Sequence, residues 1–274
     1  MSAQTTSMRD ALYEAPGPKT RRRILIGTVI AGILVCLLVF LVVRQFYVTG
    51  QLSPKYWSFF TRPTTWRFLW DGFLGTLKVA AVAGAISLVL GLVLMLCRTS
   101  HLKALNVPAR IVIEFFRGVP SLLLVYFFFL VVPQYGIKMS SFWMITLPVG
   151  LAASGVLAEV FRAGVNAVPK GQVEAAMSLG MRPSKITFKI VLPQAIRFVI
   201  PSLISQFVVV VKDTTVAYVV SYPDLLQNAR VLISNYDALV STYFVIAVIY
   251  IIVNYLINRA AVTVSRRTGV KIIK

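Results

Sequence analysis

The sequence predicts an all-α membrane protein with about six transmembrane helices. Of its 274 residues, 58% are hydrophobic and only 14% are charged, and the mean hydropathy is +0.80. A soluble domain of this length cannot bury so much apolar surface, so lipid must cover part of it. The apolar runs are long and lack the short alternation of barrel strands, which favours helices whose backbone polar groups are satisfied internally.

Six apolar runs are long enough to cross a bilayer, which requires about 20 residues in a helix. The first run is longer than the roughly 7–15 apolar residues of a signal peptide, and no small-residue cleavage site follows it. We therefore expect it to be a retained transmembrane helix. The six runs are 24–43, 72–97, 112–132, 139–158, 198–220 and 238–258.

The distribution of basic residues predicts the orientation of these spans. The chain has 28 Lys and Arg residues against 9 Asp and Glu residues, and 20 of the 28 fall in alternate segments that begin with the N-terminus. Only six fall in the segments on the opposite side. By the positive-inside rule both termini are predicted to be cytoplasmic. The net charge of +19 is thus explained by contact with a lipid bilayer, and we expect no nucleic-acid partner.

The segment between the fourth and fifth predicted spans is basic and contains several residues typical of helix ends. Pro169 precedes a predicted short helix over 171–179, and Gly180 is expected to end it in a left-handed conformation. Small and apolar side chains recur along one face of this helix, which suits docking into a groove of a partner. Packing against the protein's own bundle is the alternative. Glu174 is expected in the first turn, where a negative charge is favourable.

Residues 174–193 read EAAMSLGMRPSKITFKIVLP. This segment resembles the cytoplasmic EAA signature of ABC importer permeases, which is Glu-Ala-Ala, three residues, Gly, nine residues and Ile-x-Leu-Pro. The resemblance implies a coupling segment over 168–193 that contacts an ATPase subunit. The residues expected to make this coupling are Gly171, Val173, Glu174, Ala175, Ala176, Met177 and Gly180.

Further segments resemble the polar amino-acid branch of that family, including FRAGVNAVPKGQVEAAMSLG at 161–180. The resemblance implies a five-helix type 1 permease domain over 72–266. An N-terminal segment, 1–71, adds the basic terminus, the first helix and an external loop, and 267–274 form a cytoplasmic tail. The resemblance also implies that the permease lies in a bacterial plasma membrane. Its expected partners are two ABC ATPase subunits, a second permease copy or paralogue, and an extracytoplasmic solute-binding protein. The solute is expected to be a polar amino acid, with glutamate favoured over glutamine and basic amino acids.

The sequence contains no G-x-x-x-x-G-K-[ST] phosphate loop and no recognisable catalytic or metal-ligand set. The chain is therefore not expected to be an enzyme or to hold a cofactor or metal, and ATP is expected to bind the partner subunit. An ion-gradient-driven secondary transporter of small polar solutes is the alternative, although we find none of the inverted repeats that such transporters often contain.

Charged residues in or near the spans are functional candidates, because a lipid-facing charge is costly. Glu and Arg three residues apart occur twice and are expected to pair on one helix face near the cytoplasmic boundary, with a structural or inner-gate role. Lys212 and Asp213 are adjacent and need separate partners, through structural pairing or solute contact. Lys78, near the outer end of the second span, is a candidate for contact with an anionic solute or for snorkelling to headgroups. The two expected pairs are Glu114–Arg117 and Glu159–Arg162.

Overall fold

The computed structural model describes residues 17–267, and throughout that range the regular secondary structure is helical. The prediction of an all-α fold is confirmed. The chain divides into two compact units between Trp57 and Ser58, which is earlier than the predicted start of the permease domain at residue 72. Residues 1–16 of the predicted N-terminal segment and 268–274 of the predicted tail lie outside the described residues.

Ten α-helices follow one another in the described range, and short π or 3-10 stretches extend several of them. The extensions are Phe127–Val131, Val132–Tyr135, Thr187–Val191 and Thr214–Val220. The helices are α1 Pro18–Val48, α2 Pro63–Thr99, α3 Lys103–Gly118, α4 Ser121–Tyr126, α5 Ser141–Asn166, α6 Lys170–Ser178, α7 Pro183–Ile186, α8 Leu192–Asp213, α9 Leu225–Tyr236 and α10 Leu239–Arg267.

Five segments in the described range are long and apolar enough to cross a membrane, and a bent pair of helices brings the number to six. The bent pair differs from the single straight span predicted over 112–132, because α3 and α4 meet at an angle of 100°. The bend falls at Val119, which has an extended backbone, immediately before Pro120. A residue that precedes proline is sterically disfavoured in the helical region, so the helix stops there.

Helix α1 belongs to the first compact unit and is apolar on all sides from Ile24 to Val43. Its 31 residues include none that is buried, and its most apolar window has a mean hydropathy of 3.1. A helix of this length spans about 45 Å, more than the roughly 30 Å of a hydrocarbon core. A helix that is apolar all round requires an apolar environment, so its composition fits a membrane span.

The second unit has its core where α2, α5 and α8 pack together. Val79 of α2, Val149 of α5 and Val211 of α8 are completely buried in one apolar cluster. Close approach of the helices depends on small residues, as is common in membrane bundles. At Gly164 of α5 a Cβ atom would lie only 2.5 Å from the Cγ1 of Val199 on α8.

Polar contacts hold α9 against α2 at the end of α8 farther from α6. The Asp224 carboxylate caps α9 by accepting a hydrogen bond from the Gln227 backbone N–H at 2.7 Å. The Thr76 hydroxyl accepts a hydrogen bond from the Leu225 backbone N–H at 3.1 Å, and the Asn228 amide donates one to the Phe68 carbonyl at 2.7 Å. These bonds fix α9 across the end of the bundle.

Candidate functional site

The helix of the EAA-like segment, α6, ends in a fully formed Schellman motif. Gly180 has φ of +70°, as its sequence position predicts, and this expectation is confirmed. The Gly180 N–H donates to the Met177 carbonyl at 2.9 Å, and the Met181 N–H donates to the Ala176 carbonyl at 3.1 Å. These are the two hydrogen bonds that define the motif, and they satisfy carbonyls that the helix itself leaves free.

One side of α6 packs on the protein's own bundle. Ala176 is 2% exposed and lies in an apolar cluster with Val191 and Ala195 at the start of α8, and Val173 packs against the same cluster. The predicted docking face therefore includes two residues that face the chain's own bundle. The structure assigns them the packing role that was the alternative, because periodicity alone cannot distinguish a bundle from a partner.

The free end of α6 exposes two large apolar side chains. Met177 is 60% exposed and Leu179 is 82% exposed, in a segment otherwise lined by polar and small residues. Leu179 is absent from the residues that the sequence predicts for coupling. The sequence feature that could have identified Leu179 is its position immediately before Gly180, the residue that ends the helix. We call Met177 and Leu179 the apolar tip.

Glu174 does not occupy the position expected from the sequence. Helix α6 begins at Lys170, so Glu174 is its fifth residue, and its first turn contains no acidic residue. The predicted favourable interaction of Glu174 with the helix N-terminus is wrong, because that effect fades beyond the first turn. The exposed side chain lies instead at the rim of a cavity behind the helix. Gly171 and Ala175 are also exposed.

The cavity behind α6 has a volume of about 550 Å³. Met95 and Thr99 from the end of α2 line it on one side, and Val173 and Met177 line it on the other. The cavity therefore lies between part of α6 and the end of α2, whereas Ala176 on the same helix packs against the start of α8.

A cluster of five charged residues lies at the same end of the bundle. Both predicted pairs form: Arg117 lies 3.2 Å from Glu114 on α3, and Arg162 lies 2.7 Å from Glu159 on α5. The two pairs are joined by Arg98 of α2, whose Nη1 lies 2.7 Å from Glu159 and 3.5 Å from Glu114. The cluster therefore connects α2, α3 and α5.

The ion pairs within this cluster differ in burial. Arg98 and Glu159 are 18% and 17% exposed, whereas Glu114 and Arg117 are 52% and 42% exposed. Charge pairs interact more strongly away from solvent, so the Arg98–Glu159 contact is expected to be stronger than the longer and more exposed Arg98–Glu114 contact. Sequence reasoning missed Arg98, because it lies on a different helix from its partners and no spacing rule connects them.

Lys212 and Asp213 lie where α8 changes from an α-helix to a 3-10 helix. Lys212 is exposed and Asp213 is half-buried, and neither forms an ion pair within residues 17–267. The partners that structural pairing would require are therefore not supplied by this part of the chain. Thr214 is buried and donates a hydrogen bond to the Val211 carbonyl.

Lys78 lies deeper along its helix than the sequence suggests. Its expected position near the outer end of a span assumed that the helix begins at residue 72, but α2 begins at Pro63. Lys78 is fifteen residues from that start and about 22 Å along the helix axis, with its side chain exposed. Residues 63–71 extend the helix beyond the predicted start of the span, and a position of Lys78 near the outer end of the membrane span stays a prediction.

A bundle of helices long and apolar enough to cross a membrane defines a membrane protein rather than a soluble domain. The comparisons with known proteins identify the class. Residues 87–270 match the family model described as the binding-protein-dependent transport system inner membrane component, and the chain belongs to this family. The family resemblance drawn from the EAA-like segment is confirmed.

The relatives of this chain are permeases of amino-acid ABC transporters. It is 36% identical to a probable glutamine ABC transporter permease protein of Bacillus subtilis, over 71% of this chain and 90% of that protein. It is 34% identical to a glutamate transport system permease protein of Corynebacterium glutamicum, over 80% of this chain and 81% of that one. These relatives are transport components and not enzymes.

A solved structure supports the same fold. The crystal structure of an amino acid ABC transporter with histidines matches with a TM-score of 0.72 and 29% identity. The match covers 76% of this chain and 98% of that chain. The predicted type 1 importer permease fold is confirmed, and the protein is a multi-pass membrane protein.

Proposed function

We propose that this permease carries a polar amino acid into the cell in an ATP-driven importer, and that 168–193 transmit movement from partner ATPase subunits. The observation that carries the proposal is the apolar tip of α6, which projects from the bundle on a helix held in place by the Schellman motif. An apolar projection of this kind fits a groove on a partner. The partners are two ABC ATPase subunits, which bind the ATP, and a second permease copy or paralogue.

The solute-binding protein delivers the amino acid from the opposite side of the membrane. Glutamate is the solute that we favour, with glutamine next. The relative in Corynebacterium glutamicum is described as a glutamate permease and the relative in Bacillus subtilis as a probable glutamine permease. Their identities to this chain, 34% and 36%, are nearly equal. Direct uptake measurements with both amino acids decide between them.

The charge cluster is proposed to act as the inner gate. Arg98 connects the ends of three helices through its contacts with Glu114 and Glu159, so separation of these helices must break ion pairs. The ion pairs stabilise the arrangement in which the three helix ends lie close together, and movement of α6 works against this arrangement. ATP-dependent closure of the partner subunits supplies that opposing energy and shifts the population between two states.

The distribution of basic residues supports an orientation in which α6, both termini and the charge cluster are cytoplasmic. A reporter fused after Lys274 should be active only on the cytoplasmic side of a bacterial plasma membrane. External protease should not cleave at Arg182. Activity of the fusion outside the cell would contradict this orientation.

The decisive experiment compares two leucines that are exposed on the same side of the bundle. Leu179→Asp places a charge at the apolar tip, whereas Leu102→Asp places one on another exposed leucine, outside the coupling segment. We expect both variants to insert normally, but only Leu179→Asp should lose co-purification of the ATPase subunits. ATP-dependent uptake of L-glutamate or L-glutamine into proteoliposomes should fall with it.

Three outcomes would contradict the proposed function. The first is wild-type uptake that proceeds on an ion gradient with no ATPase present. The second is normal ATPase binding by Leu179→Asp. The third is equal loss of binding by both variants, which would show that any charge at this end of the bundle disturbs the complex.

A further inference from the structure

A polar pocket lies at the end of the membrane bundle opposite α6. The span Pro183–Val220 runs from the coupling segment to this end, where the chain turns at Ser221 and enters α9. The pocket has a volume of about 410 Å³, within the range of about 300–1,000 Å³ typical of small-molecule sites. Its polar lining comes from Tyr218, Ser221, Gln227, Arg230, Ser234 and Asn235.

Arg230 is a cation without a carboxylate partner in the described part of the chain. The arginines of the charge cluster, Arg98, Arg117 and Arg162, are each within 3.5 Å of a carboxylate oxygen. Arg230 instead lies over the Tyr218 ring, with its guanidinium carbon 4.6 Å from the ring centroid. Nearby Asp224 is buried and turned towards the α9 backbone. The N–H groups along the guanidinium edge therefore remain available.

The neighbouring groups complement a zwitterion. An arginine held against an aromatic ring presents a planar set of donors that matches a carboxylate with two parallel hydrogen bonds. Gln227 and Asn235 add amide oxygens and Ser221 and Ser234 add hydroxyls, which can accept from an ammonium group. No side-chain hydrogen bond within residues 17–267 occupies these four groups.

We propose that this pocket binds the carboxylate of the transported amino acid, with Arg230 as its direct partner, and that it favours acidic and neutral polar amino acids over basic ones. The proposal rests on the proposed import function and names the solute class of that function. A basic side chain brought near Arg230 meets like charge, which opposes binding. Arg230 is also the only Lys or Arg between residues 221 and 238, the segment that contains α9.

The pocket's size and chemistry favour a small zwitterionic solute over a protein partner as the occupant. Arg230 is exposed, and the amides and hydroxyls beside it line the same pocket of about 410 Å³, which is a suitable size for a free amino acid. Docking of the solute-binding protein through Arg230 is the competing explanation. The two explanations predict different consequences for amino-acid binding in the absence of that protein.

The test uses the purified transporter, the permease with its ATPase subunits, without the binding protein. Isothermal titration measures binding of L-glutamate, L-glutamine and L-glutamine methyl ester, which lacks the carboxylate charge. The wild-type transporter should bind L-glutamate and L-glutamine at least about tenfold more tightly than it binds the methyl ester. The reason is that hydrogen bonds to charged groups contribute about 1.5–3 kcal/mol. Arg230→Gln should remove this preference, and Arg230→Lys should retain part of it.

Arg67→Gln is the matched control, because Arg67 is an exposed arginine near the start of α2 that does not line the pocket. It should bind all three probes as the wild type does. Three results would overturn the proposal: equal binding of glutamine and its ester, unchanged binding by Arg230→Gln, or no saturable binding of either acid to the wild type. Weaker docking of the binding protein with unchanged amino-acid binding would assign Arg230 to that interface instead.

Uptake into proteoliposomes separates this proposal from the proposed function. If wild-type uptake requires ATP and Arg230→Gln transports L-glutamate and L-glutamine at the wild-type rate, only the pocket proposal fails. If wild-type uptake does not require ATP, the import function fails, whatever the effect of Arg230. L-Arginine should compete poorly with the wild type, and its competition should increase in Arg230→Gln.

Discussion

Replacement of Gly180 tests whether the cap of α6 matters for coupling. A Cβ atom at Gly180 would meet no other atom within 4 Å, so Gly180→Val introduces no clash. The cost comes from the backbone alone, because φ of +70° is unfavourable for a residue with a Cβ by roughly 1–2 kcal/mol. A penalty of this size changes the population of the capped end by a factor of about 5–30.

We expect Gly180→Val to insert normally, because the strain is confined to the end of a nine-residue helix outside the spans. In proteoliposomes containing the ATPase subunits, uptake and the stimulation of ATP hydrolysis by loaded binding protein should both fall severalfold. Gly180→Asn should be affected less, because asparagine tolerates the left-handed conformation better than other residues with a side chain.

Gly27→Ala is the control for this experiment. Gly27 is on α1, outside the coupling segment, and also has open space around its Cβ position, but its backbone does not have a positive φ. Alanine there should favour the helix by roughly 0.5–1 kcal/mol, and transport should stay at the wild-type level. Wild-type transport by Gly180→Val would refute the coupling role of this cap. Loss of the variant from the membrane would show that the cap is needed for folding.

Three further changes test the packing of the bundle, with thermal unfolding of the detergent-purified protein as the measurement. Arg98→Gln should lower stability by about 1–3 kcal/mol, because Glu159 retains only its intrahelical partner, whereas Arg117→Gln at the exposed pair should cost about 0–1 kcal/mol. Equal losses of stability in these two variants would contradict the conclusion that the buried Arg98–Glu159 pair contributes more than the exposed Glu114–Arg117 pair. Burial raises the pKa of the Asp224 carboxyl to about 7 from its ordinary value of 3.8, so the folded state binds the proton more tightly than the unfolded state. Stability should therefore decrease by about 1.4 kcal/mol per pH unit between about pH 4 and pH 7, and Asp224→Asn should remove this dependence. An unchanged slope in that variant would show that another group is responsible. Gly164→Ala should cost about 1–3 kcal/mol, because its Cβ would lie 2.5 Å from the Cγ1 of Val199, and unaltered stability would mean that α5 and α8 separate freely.

Local sequence patterns were sufficient to predict features that depend on neighbouring residues along one helix. The left-handed Gly180 and the pairs Glu114–Arg117 and Glu159–Arg162 all appear in the structure as expected. Each follows from a spacing of a few residues and from the chemistry of the residue types involved. The long apolar runs similarly predicted the membrane-crossing helices, because the thickness of the bilayer sets their length.

Features that depend on contacts between helices could not be predicted in this way. Arg98 is 16 residues from Glu114 and 61 from Glu159 in the sequence, and only the packing of α2 against α3 and α5 brings the three together. The orientation of Ala176 is another example, since a small residue suits close packing against the bundle as well as against a partner. Arg230 belongs to no recognised sequence motif, and its lack of a carboxylate partner among the described residues becomes evident only in three dimensions.

The structure also connects the coupling helix to the polar pocket through one continuous element. Ala176 packs against Val191 and Ala195, which are at the beginning of the span that includes α8. The opposite end of that span is the 3-10 stretch Thr214–Val220, which supplies Tyr218 beneath the Arg230 guanidinium. In the proposed mechanism, a shift of α6 would act on the start of α8 through these side-chain contacts, and displacement of the whole span would move Tyr218 with it. If both proposals are correct, the state of the ATPase subunits alters the position of the ring that orients Arg230, and release of the solute carboxylate becomes linked to movement at the apolar tip.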